Sequence, residues 1–166
     1  MVKGKAQPLH TGDEVPDFST RDESGNLISK SSLLGTSYLI YFYPRDNTPG
    51  CTAQACGFRD LIQDYRALEV LVLGVSGDSP ASHIKFIKKN KLPYPLLMDE
   101  DHQIALSFGV YGEKKFMGRT FDGIHRSSFL VGPDGKIIKA YHKVKAKLNP
   151  DEVLADLIRI REEAGQ

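Results

Sequence analysis

Apolar residues fall along this chain in short blocks separated by amphipathic stretches. Residues 38–43, Tyr-Leu-Ile-Tyr-Phe-Tyr, form an unbroken apolar run stopped by Pro44. That is the pattern of a strand buried on both faces. Residues 71–75 form a second run, ending at Ser76-Gly77-Asp78, and residues 96–98 and 128–131 are shorter candidates. Gly132-Pro133-Asp134-Gly135 supplies a turn into residues 136–141, which predicts that the last two strands pair as a hairpin.

The intervening stretches read as helices. From Thr52 onward, Phe58, Leu61, Ile62, Tyr65 and Leu68 recur at helical spacing among polar residues. Ser79-Pro80 reads as an N-cap followed by Pro in the first helical position, opening a helix through about Lys89. Asn149-Pro150-Asp151-Glu152 repeats that signature and starts a terminal helix with Val153, Leu154, Leu157 and Ile158 as its stripe. Residues 14–20 and 26–29, split by Glu23-Ser24-Gly25, read as a short N-terminal hairpin. Strands alternating with helices and closing in a hairpin predict an α/β sandwich, with a central mixed sheet flanked by helices. No repeat, low-complexity tract or linker interrupts the 166 residues, so residues 1–166 are expected to form a single domain.

Charge narrows the function classes. Lys plus Arg number 22 and Asp plus Glu 21, a formal net charge of +1, which gives no long-range field to recruit nucleic acid or an anionic membrane. Lys85, Lys88, Lys89 and Lys91 read as one solvated helix face, as do Lys139, Lys143, Lys145 and Lys147, and aromatic residues are not interleaved with them. No apolar run approaches the ~20 residues that span a bilayer, and residues 1–10 do not read as a signal peptide. Two cysteines do not make a disulfide-stapled scaffold, so a reducing, cytoplasmic setting is expected. His10, His83, His102, His125 and His142 are scattered without ligand spacing, and neither a metal nor another cofactor is expected.

One segment carries chemistry. Pro44-Arg45-Asp46-Asn47-Thr48-Pro49-Gly50-Cys51 follows a buried strand and precedes an amphipathic helix, which puts Cys51 in a first helical turn at the carboxyl edge of the sheet. Unpaired N–H groups and the positive end of the helix dipole there favour thiolate over thiol and can bind an incoming oxygen. Thr48 is placed to aim a hydroxyl at the sulfur or its substrate, and Pro44 and Pro49 stiffen the loop. Arg126, taken alone, reads as a strand-edge ion pair with Asp122. Arg59 reads equally as a surface partner of Asp60 or Asp64 and as an electrostatic support.

Residues 42–52, continuing through Gln54-Ala55-Cys56 and Phe58-Arg59-Asp60, closely resemble the peroxiredoxins, in the branch called bacterioferritin comigratory protein or peroxiredoxin Q. Pro44, Thr48 and Cys51 match that superfamily's proline–threonine–cysteine signature. Residues 116–126, Phe-Met-Gly-Arg-Thr-Phe-Asp-Gly-Ile-His-Arg, resemble the same branch and put Arg126 on its active-site arginine. The resemblance implies a thioredoxin-like fold and a thiol-dependent peroxidase acting on hydrogen peroxide and organic hydroperoxides. It implies Cys51 as the peroxidatic residue and Cys56 as the resolving one, with a thioredoxin- or glutaredoxin-type reductant and a monomer or weak homodimer. The N–H groups of Gly50 and Cys51 then complete an oxyanion pocket with Arg126, and Phe116 and Met117 form an apolar lip for substrate. Gln54 stands where many members carry Glu, keeping hydrogen bonding and removing a charge. A thiol–disulfide oxidoreductase and a non-catalytic redox sensor are the rival readings, but the former usually needs Cys-x-x-Cys.

Overall fold

The computed structural model describes residues 4–165. A two-stranded N-terminal hairpin, β1 (Ser19–Arg21) and β2 (Leu27–Ser29), leads through α1 (Lys30–Leu33) to β3 (Ser37–Phe42). Then come α2 (Pro49–Asp60), α3 (Ile62–Ala67), β4 (Val70–Ser76), α4 (Pro80–Asn90), β5 (Leu96–Met98) and α5 (Gln103–Ser107). A second hairpin, β6 (Tyr111–Phe116) and β7 (Arg119–Ile124), precedes β8 (Ser127–Val131), β9 (Ile137–Tyr141) and the terminal α6 (Asn149–Ala164).

The main sheet has the order β5-β4-β3-β8-β9. β3 runs parallel to β4 and antiparallel to β8, so the sheet is mixed, and β8 and β9 pair antiparallel as the turn at residues 132–135 requires. All residues of β3 are buried because both faces are covered. Leu39 and Tyr41 point into a cluster with Phe58, Ile62, Tyr65, Phe86, Val153 and Leu157, contributed by α2, α3, α4 and α6. Tyr38, Ile40 and Phe42 point into the opposite cluster with Leu33, Ile104, Phe108 and Phe129. This alternation is the two-residue period of a strand read twice over. Burying such a side chain fully contributes about 1.5–3 kcal/mol relative to leaving it exposed.

Two sequence expectations change, and one hairpin is added to them. The helical stripe from Thr52 to Leu68 is two helices, because Leu61 leaves helical geometry at φ −103°, ψ 6°. The hairpin β6–β7 has no strong apolar alternation, yet Met117 and Gly118 at its tip both adopt positive φ, at 50° and 76°. That pair is what a two-residue hairpin loop demands. Asn149 lies inside α6 and is not its N-cap: its side chain is buried and turned toward the sheet and α2. Ser79, in contrast, caps α4 as expected, accepting from the Ser82 N–H with Pro80 in the first turn.

Candidate active site

Strand β3 ends at Phe42, and residues 43–48 carry the chain over the sheet edge into α2. Pro49 occupies the first turn, where a missing N–H costs nothing, and Thr48 stands at the N-cap with an extended backbone. The first intrahelical bond runs from Thr52 N–H to the Thr48 carbonyl. The N–H groups of Gly50 and Cys51 precede that bond and head the helix dipole. Thr48 does not cap the helix with its side chain; its hydroxyl donates to the Arg45 carbonyl at 3.0 Å. Its oxygen therefore retains lone pairs to accept a hydrogen bond from another group.

Cys51 is buried, and Arg126 Nη2 donates to its Sγ at 3.3 Å. Arg126 turns to Cys51 across the fold, from the residue just before β8. Its Nη1 donates to Gln54 Oε1 at 2.7 Å, so one guanidinium fork spans two residues of α2. Gly50 lets that fork approach: a Cβ there would lie 3.3 Å from Arg126 Nη2. Lys114 adds a second, half-buried cation beside the pair, donating to the Ile124 carbonyl at 2.9 Å. Burial and then the charge of Arg126 push Lys114 below its usual range, against the pull of Cys51.

Behind the site lies a polar chain. Gln54 is fully buried, and its Nε2 donates to Asn149 Oδ1 at 3.1 Å. The Ser128 hydroxyl donates to the same oxygen at 2.6 Å. Cys56 lies about 1.4 turns beyond Cys51 on a helix that runs unbroken through both, and both thiols are free. Its Sγ lies 3.7 Å from Asn90 Oδ1 at the end of α4. Five residues of helix put the two Cα atoms about 8.7 Å apart and about 140° around the axis.

Under the loop, Asp46 and His83 form a buried pair at 2.7 Å. Asp46 also accepts from the hydroxyls of Tyr43 and Ser82. His83 Nε2 faces the Leu97 carbonyl at 3.0 Å, which only accepts, so Nε2 carries a proton, and Nδ1 donates to Asp46. Burial opposes the imidazolium, but the Asp46 hydrogen bond and charge outweigh it and raise the His83 pKa. Asp78 comes within 4.8 Å of both, but each His83 nitrogen is already engaged by a protein acceptor.

The structure thus brings Cys51 and Arg126 into contact, with Gly50 against the guanidinium and Thr48 one residue before Pro49. Cys56 faces α4 instead. Pro44 lies in the loop between β3 and α2. Phe116 and Met117 occupy the tip of the β6–β7 hairpin and are 66% and 86% exposed. Arg59 pairs with Asp60 at 3.0 Å and also donates to the Asn90 carbonyl at 2.8 Å, tying α2 to α4. Sequence reasoning missed Asn149 and the Asp46–His83 pair. Gln54 and His83 each share a helix face with a buried Phe, which is the signal that polar groups are held inside.

Residues 11–140 match the AhpC/TSA family. Peroxiredoxin Bcp of Escherichia coli K12 is 47% identical over 147 residues, 89% of this chain and 94% of that protein. Peroxiredoxin Bcp of Bacillus subtilis is 40% identical over 149 residues, covering 90% of this chain and 95% of its own length. A solved structure of the Xanthomonas campestris bacterioferritin comigratory protein, described for its alkyl peroxide reduction activity, superposes with a TM-score of 0.83. It is 33% identical, over 93% of this chain and 98% of that one. With a thioredoxin-like sheet and an arginine on a helix-entry cysteine already in place, these likenesses settle the family: the chain belongs to the AhpC/TSA family, in the Bcp and peroxiredoxin Q branch of thiol-dependent peroxidases.

Proposed function

We propose that this protein reduces hydrogen peroxide and alkyl hydroperoxides with Cys51 as the nucleophile, Cys56 as the resolving thiol and a thioredoxin-type dithiol as the electron source. The observation that carries the reading is the 3.3 Å contact between Arg126 Nη2 and Cys51 Sγ in the first turn of α2. The Cys51 thiolate attacks the distal oxygen of the peroxide, the O–O bond breaks, and the departing alkoxide or hydroxide takes up a proton. Cys51 is left as a sulfenic acid, oxidised by two electrons, and the peroxide is reduced to alcohol or water. Arg126 and the N–H groups of Gly50 and Cys51 face the oxygen on which charge develops; one such donor is typically worth about 3 kcal/mol to a transition state. Thr48 accepts a hydrogen bond from the O–H of the incoming peroxide, since its own proton is committed to Arg45. Phe116 and Met117 offer exposed apolar surface to an alkyl substituent.

In the second step the Cys56 sulfur attacks Cys51, the S–O bond breaks and water leaves as the disulfide forms. A disulfide needs Cα atoms within ~7 Å, less than the helical spacing of about 8.7 Å. The bond therefore requires α2 to unwind. The small residues of the segment suggest a weakly held helix, but the structure gives it specific ties. Tyr94 donates to the Ala55 carbonyl at 2.9 Å, Phe58 stacks on Tyr41 at 4.8 Å, and Arg59 holds Asn90. Unwinding thus carries a defined cost and is the slow event after oxidation. The dithiol reductant then attacks the exposed disulfide. Among the described residues no helix is long and apolar enough to cross a membrane, which fits a cytoplasmic enzyme.

Peroxide-dependent NADPH oxidation with thioredoxin and thioredoxin reductase tests the reading. Turnover by the wild type and none by Cys51→Ser is expected; turnover by Cys51→Ser above a no-enzyme control contradicts it.

A further inference from the structure

We propose that Asn149, in the first turn of α6, is a positioning residue that acts on both chemical steps through Gln54. The inference rests on the two-cysteine reading for its second half only. The polarity of the chain is forced. Arg126 can only donate, so the Gln54 oxygen must face it, and the 2.7 Å bond shows that it does. Gln54 Nε2 must then find an acceptor inside the fold, and Asn149 Oδ1 supplies it at 3.1 Å. The Ser128 hydroxyl donates to the same oxygen and fixes the Asn149 amide from the sheet side. Turning the Asn149 amide over would set two donors against each other.

The arrangement leaves one donor of the Asn149 amide unused. Asn149 Nδ2 is buried, and among the described residues nothing accepts from it. A side chain kept for packing alone would not carry an unsatisfied donor when an apolar residue of similar size carries none. What Asn149 contributes is the acceptor that orients Gln54. Gln54 lies between Cys51 and Cys56 on α2, so its bond to Asn149 also joins that segment to α6. The next turn reinforces the junction, because a Cβ on Gly57 would fall 2.7 Å from Pro150 Cγ. While α2 is helical, Asn149 holds the acceptor that aims Arg126 at Cys51. When α2 unwinds, the same bond must break.

Removing the acceptor therefore drives the two steps in opposite directions, which damage to the site as a whole does not do. The test is single-turnover stopped flow with a hydroperoxide, followed by tyrosine fluorescence; the chain has no Trp and 7 Tyr. In Asn149→Leu the second-order rate constant for oxidation of Cys51 falls about tenfold, the loss of a hydrogen bond to a buried partner of a charged group, while disulfide formation accelerates severalfold. Asn149→Asp keeps an acceptor for Gln54 and Ser128 and restores the oxidation rate to within about threefold of wild type. Asn149→Ala carries the same expectation as Asn149→Leu should the latter not fold. Oxidation rates unchanged in folded Asn149→Leu, or equally depressed in the Leu and Asp variants, overturn the proposal. Slowing of both steps in Asn149→Leu overturns it as well. In a Cys56→Ser background the oxidation step reads Asn149 alone, so a failure of the two-cysteine reading stays separate.

Discussion

Arg126 serves two acceptors with one planar fork, and that division sets what its loss costs. With Nη2 on the sulfur and Nη1 on Gln54, the guanidinium is held from both ends, so truncation removes charge and orientation together. Arg126→Ala is expected to slow oxidation of Cys51 by about 100-fold, the scale of one lost donor at a developing oxyanion. Arg126→Lys keeps the charge without the fork and recovers only part of that rate. Stopped-flow oxidation of the two variants checks the order. The Asp46–His83 pair predicts a pH effect on stability. Its His pKa is raised in the folded state, so its stabilisation is fully present below the ordinary value of about 6.5 and is lost as pH rises through the folded value. Thermal melts of wild type and His83→Gln are expected to differ most below the ordinary histidine value of about 6.5 and to converge as pH rises above the raised folded value. A difference independent of pH contradicts the protonated assignment. Of these residues, Cys51 was legible from its place at a helix entry after a buried strand, and Arg126 only through the resemblance of residues 116–126 to the peroxiredoxins. His83 was not, since a histidine on a helix discloses its partner only when Asp46 folds over it.

At the scale of elements, α2 carries the conflict between the two proposed steps: the reading needs it helical to present Cys51 and unwound to deliver Cys56. Gly57 allows α2 to pack on Pro150. Gly57→Ala favours the helix by up to about 1 kcal/mol, but the contact with a stiff proline ring imposes overpacking of about 1–3 kcal/mol. The net expectation is a lower melting temperature and faster amide exchange in α2 and the start of α6. A variant more stable than wild type contradicts that packing. The burial of β3 on both faces was legible from its unbroken apolar run, and the β8–β9 hairpin from its turn. The β6–β7 hairpin was not, because each strand buries only one residue fully and so carries no apolar alternation. The division at Leu61 also left no mark, since the apolar stripe continues through it.

Across the whole molecule, one mixed sheet separates two apolar clusters and places the site where β3 hands over to α2. The terminal helix closes the arrangement: Asn149 reaches Gln54, and the Pro150 carbonyl accepts from Tyr65 at 2.7 Å. Sequence fragments far apart therefore share one site, and their pairing is written in tertiary contacts that no local pattern encodes. The proposed cycle depends on both cysteines meeting after oxidation, although the fold holds them on different sides of one helix. Peptide mass spectrometry after one equivalent of hydroperoxide tests this most directly. A Cys51–Cys56 linked peptide as the main product is expected; a stable sulfenic acid at Cys51 with Cys56 free would contradict the two-cysteine cycle.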